Sequence, residues 1–259
     1  MNSAAILESR FELGSGMAVR VQLPARAQPC HPGQFFMLRC GATWTPYLRQ
    51  PLFPSSIESH SVTFWGSPAR NDGLAWLATQ PEGTHLDVLG PFGKGFSVHA
   101  QDRRLLLVAE TPWVNPLLAL IAPQLARQGG VGLLVEAATA ADLLPPALLP
   151  PAVEYYTATS DRTAGHDQTL DAVLDWALPW TDKLCAAGSA PFLHRLKRKV
   201  ASIRTAGPAD TLHAGFAQAL APVPLPCGVG ACLACLVDTG RGTHRACQRG
   251  PVFDLTQLG

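Results

Sequence analysis

Four of the seven cysteines stand close together near the C-terminus, spaced Cys227-x4-Cys232-x2-Cys235-x11-Cys247. A thiolate is a soft metal ligand and also a site of oxidation. Residues 1–16 carry Glu8, Arg10 and Glu12 and no apolar h-region, so no secretory signal is expected. A cytoplasmic chain is expected, and clustered cysteines in a reducing compartment point to metal rather than disulfides. The first three match the C-x4-C-x2-C spacing of two-iron, two-sulfide centres. The loop Cys227-Gly-Val-Gly-Ala-Cys232 explains why. Its glycines let the backbone fold around an inorganic core and aim N–H groups at the sulfurs, which tunes the reduction potential. Zinc is the competing metal; its sites usually use two C-x2-C pairs, and this chain has one. The reading is a [2Fe–2S] cluster held by Cys227, Cys232, Cys235 and Cys247, with Cys30, Cys40 and Cys185 as bystanders.

The elements that must position this loop follow from composition and periodicity. The 259 residues suffice for two domains and a small module. With 20 Lys+Arg against 19 Asp+Glu, the net charge of +1 argues against a nucleic-acid binder. Only 15% of residues are charged, against about 25% usually, which suggests a partner surface or a large buried fraction. No run approaches about 18 uninterrupted apolar residues, so no membrane span is expected. Residues 1–97 read as an all-β barrel. Short alternating runs such as Met17–Leu23, Gln34–Arg39 and Ser61–Trp65 are separated by Pro, Gly and Asn turns. Residues 98–213 read as a parallel α/β domain. The apolar run Arg103–Ala109 is a strand buried on both faces, and helices are predicted over Pro116–Gln128, Gln168–Trp176 and Pro191–Ser202. Between them, Val131–Glu136 and Lys183–Ala187 read as further strands. Residues 214–259 read as a loop-rich cluster module with a short hairpin at Cys235–Thr239 and Thr243–Ala246.

Cys227-Gly-Val-Gly-Ala-Cys-Leu-Ala-Cys235, followed by Arg245-Ala-Cys-Gln-Arg-Gly-Pro-Val-Phe253, resembles the electron-transfer subunit of class 1B dihydroorotate dehydrogenase. That family belongs to the ferredoxin reductase superfamily. The resemblance implies an FAD-binding barrel, an α/β nicotinamide-binding domain and then the cluster, the order read above over nearly the whole chain. His31–Leu38 resembles the family's proline–glycine–glutamine–phenylalanine strand. Leu48-Arg-Gln-Pro51 resembles its arginine–x–proline segment, which implies Arg49 on the FAD pyrophosphate beside Pro51. Val88-Leu-Gly-Pro-Phe-Gly-Lys-Gly-Phe96 matches its closing turn and adds Gly90, Gly93 and Gly95. The family's flavin-edge hydroxyl lies two residues after the proline, where this chain has Phe53; the nearest hydroxyls are Ser55 and Ser56. Its pyrophosphate turn corresponds to Asn71-Asp-Gly-Leu74, which contributes Gly73.

The nicotinamide half departs most. The family's glycine-rich turn after the first strand of this domain reads here as Glu110-Thr-Pro-Trp113. Glu110 would set a negative charge by a pyrophosphate, Pro112 removes an N–H donor, and Trp113 fills ligand space. The family's cysteine–glycine–proline motif is here Ala187-Gly-Ser189. NAD(P) binding is therefore not expected.

The resemblance implies a relay subunit in a hetero-oligomer. It would carry electrons between FAD and a [2Fe–2S] cluster, to or from an FMN-containing catalytic subunit of the dihydroorotate dehydrogenase type, in pyrimidine biosynthesis. No residues of its own are assigned as catalytic. The alternative is a non-catalytic structural or regulatory iron–sulfur subunit without a working flavin. The basic run His194–Lys199 and Arg241, Arg245 and Arg249 are read as solvated faces or partner contacts, and Trp76, Trp176 and Trp180 as core.

Overall fold

The computed structural model describes residues 3–14, 16–24, 27–41, 47–164, 169–206 and 215–259. The expected boundary at 213/214 and the expected helix start at Gln168 lie outside the described residues. The N-terminal part contains strands β1 (Ser3–Leu13), β2 (Gly16–Gln22), β3 (Phe35–Leu38), β4 (Gln50–Leu52), β5 (Ser56–Ile57) and β6 (Ser61–Gly66). Helix α1 (Asp72–Thr79) and β7 (His85–Phe92) complete it. The seven strands form one antiparallel sheet in the order β4-β3-β7-β1-β2-β6-β5. Its two edge strands, β4 and β5, are separated by residues 53–55 alone. At about 3.5 Å per residue, so short a link brings the edges together only if the sheet curls into a barrel. Val19, Val21, Phe36, Leu38, Val62, Phe64 and Leu86 fill its interior.

The helix α1 corrects the all-β reading. Asn71–Leu74, expected as the counterpart of a pyrophosphate turn, is the start of that helix, where the Asn71 side chain accepts from Leu74 N at 3.0 Å. An Asn cap satisfies one of the N–H groups that a helix start leaves unbonded.

The second part contains β8 (Arg104–Glu110), α2 (Asn115–Leu118), α3 (Ile121–Ala126), β9 (Gly130–Ala137), β10 (Val153–Thr159), α4 (Leu170–Trp180), β11 (Lys183–Ala187) and α5 (Ala190–Ala206). After it come β12 (Ala217–Leu220), hairpin strands β13 (Leu236–Thr239) and β14 (Gly242–Arg245), α6 (Ala246–Arg249) and β15 (Val252–Asp254). The second sheet runs β10-β9-β8-β11-β12-β15, parallel except for β15. Two of its strands, β12 and β15, come from the stretch assigned in sequence to the cluster module. The helix predicted over Pro116–Gln128 is two helices, broken at Ala119 and Leu120. Pro123 has no N–H to return to the Ala119 carbonyl, so the ladder fails there. Trp176, expected in the core, is 49% exposed and packs edge-on against Tyr156. No helix among the described residues is long and apolar enough to cross a membrane.

The segment Gly90–Gly95 joins these parts. Lys94 N–H donates to the Gly250 carbonyl, and Lys94 bridges Pro251. Gly93 has φ +78°, and a Cβ there would stand 2.5 Å from the Gly250 carbonyl oxygen. Gly93→Ala should therefore cost about 2–4 kcal/mol from left-handed strain plus overlap with backbone. Gly83→Ala has φ +82° but nothing within 4 Å, so it should cost only about 1 kcal/mol. Urea titrations of the two variants read the difference as unequal drops in midpoint at similar slope.

Candidate functional site

The cysteine loop lies between the β12 side of the second sheet and the β13–β14 hairpin. Gly228 (φ +70°) and Gly230 (φ +80°) give the left-handed turns that wrap it. A Cβ at Gly228 would meet Met37 at 2.8 Å and Phe92 at 3.2 Å, so the loop lies directly on the barrel. Arg245 Nη1 donates to the Gly230 carbonyl at 3.0 Å, and Gln248 Nε2 to that of Val229 at 3.2 Å. Arg245, expected as a solvated or partner-contacting group, is thus a brace for the loop.

The four sulfurs form two pairs. Cys235 and Cys247 are buried, with sulfurs 3.4 Å apart. That is far from the ~2.05 Å of a disulfide. It is close to the about 3.8 Å that separates two thiolates on one tetrahedral metal with ~2.3 Å bonds. Cys227 is half-buried and hydrogen-bonded to the exposed Cys232. Among the described residues, no three His, Cys, Asp or Glu side chains gather as one ion would require. Two pairs suit two irons, each taking two thiolates.

The loop also stabilises thiolate. Desolvation pushes the Cys227 thiol up, but backbone N–H and S–H bonds from Cys232, with N–H bonds from Val229 and Ala231, outweigh it and bring it to about 6. Cys247 is pushed up to about 12 by desolvation, then by the Cys235 contact and the charges of Cys235 and Cys227. A cation between these sulfurs relieves that repulsion. The donor set and its N–H groups therefore fit the cluster. Cys30 and Cys185 are held near 12 by burial, and Cys40 near 11 by burial and Asp72, so all three remain thiols at neutral pH.

A cavity of ≈ 270 Å³ lies between barrel and second sheet. Pro51, Phe53, Trp65, Arg70, Asn71 and Trp113 are among its walls. Its volume lies just below the usual range for ligand pockets, about 300–1,000 Å³. Trp65 Nε1 and Asn115 Oδ1, on residues of the same wall, are buried polar atoms without a partner, as is Thr111 Oγ1 nearby. Buried polar groups normally find partners, but these three atoms have almost no accessible surface, and Trp65 Nε1 is turned towards Gly16, so they do not face the cavity. The other expected cofactor residues lie elsewhere. Arg49 is engaged by Asp87, with Nη2 at 2.9 and 2.8 Å from its two carboxylate oxygens and Nη1 at 3.0 Å from its carbonyl. Ser55 and Ser56 line a neighbouring cavity of ≈ 210 Å³ with Phe11 and Leu118. Gly73 lies in the first turn of α1. Gly90 packs on Phe36, Gly93 on Gly250 and Gly95 on Pro32.

Sequence reasoning passed over Arg70. It stands one residue before the α1 cap, lines the interdomain cavity and pairs with Asp142 at 2.5 Å. Its signal was weak, because an arginine before Asn-Asp-Gly carries no motif. Three residues of the basic run on α5 are engaged internally, while His194 and Arg198 stay exposed: Arg195 pairs with Glu136, Lys199 with Asp175, and Lys197 Nζ donates to the Leu258 carbonyl at 2.5 Å.

A curled antiparallel barrel, a parallel α/β sheet and a cysteine loop together define a reductase-type electron-transfer chain. The structure is similar to the solved NADH-dependent reduced ferredoxin–NADP oxidoreductase, with TM-score 0.75 at 16% identity over 100% of this chain and 90% of that one. It is also similar to phthalate dioxygenase reductase, with TM-score 0.62 at 14% identity over 92% and 86%. Residues 225–259 match the family model of the iron–sulfur cluster binding domain of dihydroorotate dehydrogenase B. The electron transfer subunit of dihydroorotate dehydrogenase B (NAD(+)) from Geobacillus kaustophilus is 31% identical over 230 residues, covering 86% of this chain and 84% of its own length. That from Bacillus velezensis is 29% identical over 237 residues, covering 88% and 86%. The chain belongs to the family of dihydroorotate dehydrogenase B electron transfer subunits.

Cys232→Ser should cut the iron bound per chain to below half while leaving the far-ultraviolet dichroism unchanged, since Cys232 is exposed and packs on no core. Cys30→Ser, measured by the same iron assay, should leave the content unchanged.

Proposed function

We propose that this chain relays electrons between FAD and a [2Fe–2S] cluster, on behalf of an FMN-containing catalytic subunit of the dihydroorotate dehydrogenase type. One observation carries the reading. Phe53 lines the interdomain cavity, its ring centroid lies 5.6 Å from that of Phe35, and Phe35 lies 5.9 Å from Phe92, which abuts Gly228 of the cysteine loop. Three rings in contact thus connect the two candidate sites. A bound flavin supplies the exchange between two-electron and one-electron chemistry, and the protein sets where it sits relative to the cluster.

In this reading the ring system lies against Pro51, Phe53 and Trp65. The pyrophosphate lies at the α1 N-terminus by Asn71 and Gly73, where the helix dipole favours an anion and the half-exposed Arg70 would exchange its Asp142 partner for it. Arg49 holds β4 to β7 through Asp87 and acts on the cofactor through that strand, while Ser55 and Ser56 border the site from the neighbouring cavity. Gly90, Gly93 and Gly95 let the closing turn approach the cysteine module. Residues 1–97 form the flavin barrel and 98–213 most of the α/β domain, while 214–259 carry the cluster and lend β12 and β15 to the α/β sheet. The assembly is a cytoplasmic hetero-oligomer serving pyrimidine biosynthesis.

The alternative, a structural iron–sulfur subunit, predicts no flavin. Acid extraction of gently purified protein should release about one FAD per chain, and Arg70→Ala should weaken FAD retention about tenfold, the value of one charge-assisted contact. A wild-type chain with full iron but no extractable flavin would select the structural alternative.

A further inference from the structure

The parallel strands of the second sheet run β10-β9-β8-β11-β12, so the order reverses between β8 and β11. In an open parallel sheet, ligands settle outside the carboxyl ends of the strands at such a reversal. Here that gap is bridged by the protein itself. Glu110 ends β8, and its Oε2 accepts from the backbone N–H of Ser189 at 2.7 Å. Ser189 immediately precedes α5, and its carbonyl accepts from Leu193 N at 3.0 Å. The Glu110 carboxylate therefore occupies the helix end that an anionic ligand would use. Glu136 is the register partner of Glu110 on β9, and its charge is already paired with Arg195 of α5. A second carboxylate thus stands in the same crevice, and the arginine beside it is taken.

The residues after Glu110 stay in the crevice. Thr111 N donates to the Glu136 carbonyl at 2.9 Å, and Trp113 N to that of Glu110 at 2.8 Å. Pro112 and Trp113 then line the interdomain cavity. Asn115 Nδ2 donates to the Trp65 carbonyl on the barrel strand β6. Residues 110–115 are a strap tied to α5 and β9 at one end and to the barrel at the other.

We infer that this strap closes the chain to pyridine dinucleotides, with Glu110 and Trp113 as the residues that set this specificity. Glu110 takes the place and charge of a pyrophosphate. Trp113 takes the side of the cavity from which a nicotinamide would approach the ring system. The redox partner is then a carrier of single electrons rather than a hydride donor. This last step rests on the flavin reading above; the exclusion of dinucleotides does not. The relatives named above carry NAD(+) in their names, so the strap separates this chain from them in its electron partner.

The test is equilibrium binding of NAD+ and NADH to the full chain by calorimetry, followed by anaerobic mixing. Wild type should show no binding at millimolar dinucleotide. The triple variant E110G/P112G/W113G should gain affinity at least tenfold. If its far-ultraviolet dichroism shows it unfolded, Glu110→Ala alone gives the reading: a gain supports the strap, and no gain overturns it. Micromolar binding of NADH to wild type, or rapid bleaching of its visible spectrum by NADH, also overturns it. Reduced methyl viologen, a one-electron donor, should bleach the same wild-type sample. A sample without a flavin band at the outset counts against the flavin reading, while its dinucleotide affinity still decides the strap.

Discussion

The contact between the Gly93-Lys94 turn and Gly250-Pro251 is the constraint on which the other parts depend. Lys94 N–H reaches the Gly250 carbonyl, and Gly93 lies too close to that carbonyl for any side chain. Three residues before Gly250 is Cys247, and just after it β15 joins the second sheet along β12. A single short tail therefore fixes one cysteine of the loop pair, one sheet edge and the end of the barrel together. Phe35 and Met37 of the barrel share a core with Leu106, Cys235 and Cys247, because this tail allows no gap between the parts. Burying those side chains at about 25 cal/mol per Å² opposes any swing of the cysteine loop away from the barrel.

The same rigidity shapes the chemistry. A cluster exchanges electrons well only if its ligands and its neighbour move little, and the loop is braced by Arg245 and Gln248 on one side and by Met37 and Phe92 on the other. On the nucleotide side, rigidity takes another form. Glu110, Thr111 and Asn115 are each committed to a backbone partner on a different element. A segment tied at three points yields to a ligand only if several hydrogen bonds break at once, and each left unmade costs about 1–3 kcal/mol when buried.

Much of the fold was legible. The apolar run at β8 and the alternating runs at β2 and β6 carry their periodicity in adjacent residues. The hairpin read at Cys235–Thr239 and Thr243–Ala246 is found within one residue, as β13 and β14. The helix α1 was hidden because Asn71-Asp-Gly also reads as a turn, and only the continuation Leu74–Thr79 distinguishes the two. The strands β12 and β15 were hidden because each has four residues or fewer and is stabilised by its neighbour rather than by its own pattern.

What the sequence determined by itself is the chemistry written in local spacing. Four cysteines with glycines between them specify a thiolate loop, since chain geometry over a few residues leaves few alternatives. The adverse residues at 110–113 were likewise visible as types. What only tertiary structure decided is where those groups point. Arg49 meets Asp87 across 38 residues, and Glu110 meets Ser189 across 79. Both pairings depend on strand order: β4 reaches β7 through β3, and β8 lies beside β11. A carboxylate's charge is fixed by its residue type, but its partner is set by whichever strand end folding brings beside it, and no short-range pattern records that.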